Sequence, residues 1–207
     1  MKVSGKTFEL IRLDGKYQVV NVSPVLKQVI LEVPRGSVSK SLDVILDKEG
    51  SSVEILGVYA GLSSEKIDLT VNVIHKAFNT KSLTQIRGVL KDSSSSLFKG
   101  VIKIEKKAQK TDSYLDHDVL ILGDKARNES QPMLEIEADD VKATHGATTG
   151  RISEEEIFYL MSRGLSREEA VKIILEGFFE AVFGKITDGK IREEIKSIIL
   201  ERLSKYG

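Results

Sequence analysis

The chain has no cysteine among its 207 residues. A disulfide framework, a thiolate zinc site and a catalytic thiol are therefore excluded within it, and any soft-metal chemistry must borrow sulfur ligands from elsewhere. Aromatic residues make up only 6%, which speaks against a sugar-binding cleft built on aromatic platforms. Net charge is missing too, because Lys+Arg and Asp+Glu both number 31. Without a global field, nothing draws the chain onto nucleic acid or an anionic membrane. No apolar run approaches the roughly 20 residues needed to span a bilayer. The first 15 residues, MKVSGKTFELIRLDG, carry charges every few positions in place of the apolar core of a secretory signal. The expected location is the cytoplasm.

What is present falls into two parts, which we delimit as a β core over 1–150 and a helical domain over 151–207. The hydrophobic fraction of 41% and charged fraction of 30% are those of an ordinary soluble protein. In the first part, short runs rich in Val, Ile, Leu and Thr read as strands at 25–33, 43–46, 53–60, 67–75, 83–90, 97–105, 119–122 and 133–137. Polar pieces at 91–96 and 124–130 read as turns, as do Asp116-His-Asp118 and the glycine-spaced 146–151. No helical period intervenes, which argues against a βαβ sheet. Strands at such spacing suggest a sandwich, a barrel or a solenoid, and no strict repeat selects the solenoid from pattern alone.

After Gly150 the period changes. Ser153-Glu-Glu-Glu156 and Ser166-Arg-Glu-Glu169 are two capping boxes, in which the Ser hydroxyl takes an orphan amide and the Glu reaches back. Gly164 supplies a left-handed stop for the first helix and Gly184 ends the second. The second helix should present Ala170, Ile173, Ile174, Phe178 and Ala181 on one face. Asp188 caps a third, with Ile191, Ile195, Ile198, Ile199 and Leu203 apolar. The apolar residues of 166–203 exceed what such helices bury among themselves, which predicts a docking face for a partner.

Several pieces carry a resemblance to one family. They are Arg87-Gly-Val-Leu90, Phe98-Lys-Gly-Val-Ile-Lys-Ile104, Ala108-Gln-Lys-Thr-Asp112, Pro132-Met-Leu-Glu-Ile136, Asp139-Asp-Val-Lys142, His145-Gly-Ala-Thr148, Phe158-Tyr-Leu160, Arg163-Gly-Leu165 and Gly177-Phe178. In order and spacing this stretch resembles the core of SufB and SufD, paired subunits of iron–sulfur cluster assembly. His145-Gly146 is of the SufD type, Thr148-Thr149 of the SufB type. Ala143 stands where many SufD-like chains carry Cys, and His117 where SufB-type chains place the Cys used in assembly. The chain is thus nearer to SufD, a short form lacking most of the family's N-terminal region.

The resemblance implies a right-handed parallel β-helix followed by a small C-terminal helical domain. It also implies a dimer, with a SufB-like subunit or a second copy, that docks a SufC-like ABC ATPase on the C-terminal helices. His145 and His117 are the candidate metal ligands at the dimer interface, since neutral imidazole binds iron. For His117, flanking carboxylates would favour the charged form, which cannot bind metal until deprotonated. His75 ends an apolar strand and reads as structural. Without thiolates the chain alone should hold no cofactor stably, although a cluster could form transiently in the complex. No nucleophile–base pair or phosphate loop marks an enzyme. The alternatives are a purely structural dimerisation and docking module without metal contact, and a carbohydrate-active β-helix using Asp112, Asp116, Asp118 or Asp140.

Overall fold

A computed structural model describes residues 7–12, 17–22, 27–32 and 35–204. Among these residues, strands alternate between two all-parallel sheets, so each coil of chain adds one strand to each sheet. One sheet contains, in order, β1 (Thr7–Arg12), β3 (Lys27–Glu32), β5 (Ser52–Gly61), β7 (Lys81–Leu90), β9 (Asp112–Ile121) and β11 (Lys142–Arg151). The other contains β2 (Tyr17–Asn21), β4 (Val38–Leu46), β6 (Lys66–His75), β8 (Ser95–Ile104) and β10 (Arg127–Ile136). This is the parallel β-helix that the resemblance implied. Three helices follow: α1 (Glu154–Ser162), α2 (Arg167–Phe183) and α3 (Gly189–Ser204).

Successive coils register Val53, Ser82, Ser113 and Ala143 in one sheet, and Ile67, Ser96 and Asn128 in the other. These coils vary between 29 and 32 residues and the earlier ones are shorter, with offsets of 20, 24 and 26, so no fixed period appears in the sequence. The corners absorb the difference. At one corner Gly50, Asn79 and Lys110 each stand two residues before a strand with φ of 73°, 56° and 62°. At the other, Ser63 and Asp92 stand two residues after a strand with φ of 55° and 60°. Five left-handed residues, four of them not glycine, are held by the corner hydrogen bonds of neighbouring coils.

Inside the coils, Leu42, Val71 and Gly100, then Val44, Val73 and Ile102, form rungs of buried residues. Strand alternation sends every second side chain to this lumen. Glycine occurs where a neighbour needs the room: a Cβ on Gly88 would lie 2.2 Å from Cζ of Tyr59, the adjacent residue in register.

Ser153 caps α1 by accepting from the Glu156 amide at 3.2 Å, and Gly164 follows the helix with φ 96°. Ser166 and Glu169 form the full reciprocal box on α2. Gly184 ends α2, as expected, in right-handed conformation, its amide bonded to the Glu180 carbonyl. Asp188 accepts from the Lys190 and Ile191 amides at the start of α3.

The buried face of α2 differs from the expected one. Ala170, Leu175, Phe179, Val182 and Phe183 are buried, whereas Ile173 is 46% exposed and Ala181 is exposed. The cause is a second core: these residues, with Ile186, Ile195 and Ile199, pack on Ile30, Leu56, Val58, Ala60 and Val89 of the outer face of the larger sheet. The apolar excess expected to dock a partner is thus largely taken up by the chain's own β-helix. Gln28 of β3 fixes the seat, donating to the Lys185 carbonyl and accepting from the Thr187 amide, and Arg202 of α3 pairs with Glu65.

Candidate functional site

The last coil carries the residues of interest. β10 and β11 are edge strands of their sheets. Leu134 and Ile136 are in register with Ile102 and Ile104, which are fully buried, yet they are 37% and 42% exposed. The lumen therefore ends in an open, apolar mouth among the described residues. His145 registers with buried Leu115, so it occupies the lumenal face of β11, and it too is exposed. The segment expected as a glycine-spaced turn, 146–151, is instead the second half of β11. Its residues do not alternate in burial because no further coil covers them. Asp139 and Asp140 lie in the bend before β11, with Asp140 paired to Lys110.

His117 is not in a solvated turn. It lies on β9 with its ring fully buried in the lumen, stacked on Phe98 at 4.1 Å between centroids. Both nitrogens are engaged: Nε2 lies 3.0 Å from Tyr59 Oη and Nδ1 2.7 Å from Ser130 Oγ. Tyr59 donates to Ser96, Ser96 to Asn128 Oδ1, and Asn128 Nδ2 to both Ser130 and Thr149. For every donor in this chain to find an acceptor, Nε2 of His117 carries the proton and Nδ1 accepts from Ser130. Burial pushes the pKa of His117 down to about 3, opposite to the expected effect of flanking carboxylates. The carboxylates of Asp116 and Asp118 point to the other face of β9. His117 therefore directs no free nitrogen at an interface, which removes the basis for it as a ligand there.

His75 is structural, as expected. Its nitrogens lie 2.8 Å from Thr80 Oγ1 and 3.0 Å from Ser82 Oγ, and a rung of Thr111 and Ser113 continues the contacts into the next coil. Burial lowers its pKa to about 4.

One cluster was not legible in the sequence. On the outer face of the larger sheet, Arg87 Nη2 lies 2.8 Å from Asp118 Oδ2 and 4.0 Å from Asp116 Oδ2. Its guanidinium carbon sits 4.9 Å from the centre of the Phe178 ring of α2. Burial, then the charge of Asp118, raises the pKa of Asp116. The only sequence signal was the alternation of Asp116 and Asp118 around an inward residue. The acids weighed as a glycosidase pair fall apart: Asp116 and Asp118 share Arg87, Asp112 begins β9, and Asp140 sits in a corner.

On the helices, Phe158 (73% exposed), Tyr159 and Met161 of α1 and Ile173 of α2 leave apolar surface uncovered. No helix among the described residues is long and apolar enough to cross a membrane. Among the described residues, no group of three or more His, Asp or Glu is assembled to hold a metal ion.

Comparison with known proteins places this geometry. Residues 2–178 match the family described as SUF system FeS cluster assembly, SufBD core domain. The chain is 34% identical over 151 residues to the iron–sulfur cluster assembly protein SufD of Bacillus subtilis, covering 73% of this chain and 35% of that protein. Against SufD of Escherichia coli the identity is 32% over 158 residues, 76% of this chain and 37% of that one. A SufBD family iron–sulfur cluster assembly protein of Pyrococcus horikoshii is 38% identical over 151 residues, covering 73% and 33%. The chain thus spans about a third of the length of these curated relatives.

Proposed function

This chain belongs to the SufB/SufD family and stands nearer to SufD; from that premise we propose that it is an accessory subunit of iron–sulfur cluster assembly with no turnover of its own. The observation that carries the reading is His145, a lone exposed imidazole on the lumenal face of an edge strand, in the same open coil as Leu134 and Ile136. Neutral imidazole is a competent iron ligand, but one nitrogen does not hold a cluster. Because the chain has no cysteine, thiolates come from a partner whose surface closes over this end. The cluster is then cargo shared between two subunits, the second being a SufB-like chain or another copy. The unpaired edges of β10 and β11 and the apolar mouth support such a closure. A SufC-like ABC ATPase docks on the uncovered patch of Phe158, Tyr159, Met161 and Ile173. The setting for this work is the cytoplasm.

A second reading, a dimerisation and docking module that never touches metal, is favoured by the absence, among the described residues, of any group of three or more His, Asp or Glu that could hold a metal ion. Co-expression with the ATPase and a SufB-like subunit, followed by iron and sulfide analysis, separates the two. We expect His145→Ala and His145→Asn both to lower cluster content with dimer yield and ATPase docking intact. Asparagine restores hydrogen bonds but is a poor iron ligand. A His145→Asn complex that assembles clusters at the normal rate would establish the second reading.

A further inference from the structure

The larger sheet aligns Leu56, Gln85, Asp116 and Gly146 in one outer row and Val58, Arg87, Asp118 and Thr148 in the next. Across these rows a continuous set of contacts runs from α2 to β11. Phe178 roofs the Arg87 guanidinium, and Lys185, just beyond α2, donates to Gln85. Arg87 holds Asp118 and Asp116, and its side chain is only 17% exposed. Among the described residues its Nε finds no acceptor, so the guanidinium depends on the two carboxylates and the ring. Tyr114 and Gln85 stand close enough to Asp116 to favour its carboxylate form. Both Asp116 and Tyr114 lie over Gly146: a Cβ there would stand 3.1 Å from Asp116 Oδ1 and 3.5 Å from Tyr114 Oη. Gly146 is the residue after His145.

We propose that Arg87 is a positioning residue that couples the seating of α2 to the backbone of β11 beside His145. Among the described residues, the carboxylates of Asp118 and Asp116 hold the Arg87 side chain over β9, and the Phe178 ring covers it from α2. While the ring excludes water, the ion pairs are strong and Asp116 stays in place over Gly146. A shift of α2 uncovers the guanidinium, the carboxylates rehydrate, and the packing on Gly146 relaxes. The physical coupling is independent of the function proposed above; its use, relaying movement of the helical domain to His145, rests on that function.

The test is amide hydrogen exchange across the full chain, read at residues 142–151, in Phe178→Leu, Arg87→Gln, Arg87→Lys and the Phe178→Leu/Arg87→Gln double variant. We expect Phe178→Leu, remote from β11, to speed exchange there at least about fivefold, with β4 and β6 unchanged. Arg87→Gln should act alike, the double variant should exceed neither single one, and Arg87→Lys should restore only part of the protection. Ile173→Ser, exposed on the same helix, should leave β11 unaffected. Should Phe178→Leu melt α2, seen as lost helical circular dichroism, the Arg87→Lys and Arg87→Gln pair decides alone. Additive effects, uniform acceleration over all strands, or unchanged β11 exchange with α2 loosened would each overturn the coupling. Those outcomes bear on packing alone and leave the metal reading of His145 to its own experiment.

Discussion

His117 and His75 are where residue type and environment disagree most, and the disagreement is measurable. Both are neutral in the folded chain, with pKa values lowered by burial to about 3 and about 4 from an ordinary 6.5. As pH falls below 6.5 the unfolded chain binds these protons first, so stability is complete above that value and declines toward pH 4 and 3. At pH 5 each histidine should have removed ~2 kcal/mol. Urea unfolding at pH 7.5 and pH 5 should therefore show a loss of ~4 kcal/mol beyond that of a His75→Asn/His117→Asn variant. Carboxylates held low by their partners, such as Glu154 and Glu169, titrate in both proteins and cancel in the difference. Equal pH slopes for the two proteins would mean that the buried rings accept protons without opening the lumen.

At the scale of elements, the caps were readable from four residues and the helix faces were not. Ser166 and Glu169 form their box because both partners lie within one turn. Ser166→Ala should cost about 1 kcal/mol. Which stripe α2 buries depended on sheet residues from Ile30 to Val89, far away in sequence, and Leu175 and Phe179 won over Ile173 and Ala181. Phe179→Ala should then cost about 3–5 kcal/mol, while Ile173→Ser should change stability by less than about 0.5 kcal/mol. Denaturant midpoints of the three variants check this order; a large loss for Ile173→Ser would restore the face expected from periodicity. Strand existence was similarly legible where Val, Ile and Leu alternate, as in β6 and β8. It was illegible in β9 up to Asp118, in β10 up to Pro132 and in all of β11, whose polar residues resemble loops, and β1 and β2 were not read as strands.

For the whole molecule, the decisive feature is that, among the described residues, nothing covers the lumen where β10 and β11 end the solenoid. Apolar Leu134 and Ile136 and two strand edges face outward at one end, a combination that soluble chains cover by pairing. In the absence of other subunits we expect a dimer at micromolar concentration formed through this end. Ile136→Lys should leave circular dichroism unchanged and give a monomer by light scattering. A dimer that persists in Ile136→Lys would place the interface elsewhere.

The sequence by itself determined the absence of thiolate chemistry, the division into strands and then helices, the helix caps, and a family pattern spread over roughly half the chain. Those properties are local or additive, each resting on residue type or on spacings of two to four. Only the tertiary structure decided which polar residues are inside. Tyr59, Ser96 and His117 can be buried, and Ser130 half-buried, because coiling brings each to a partner, at sequence separations of 37, 58 and 13 residues. Corners of unequal length keep the coiling from appearing as a repeat. His117 thus read as a solvated turn residue and became the centre of a satisfied lumenal network, since hydrogen bonding across coils, not hydrophobicity along the chain, sets the cost of burying it.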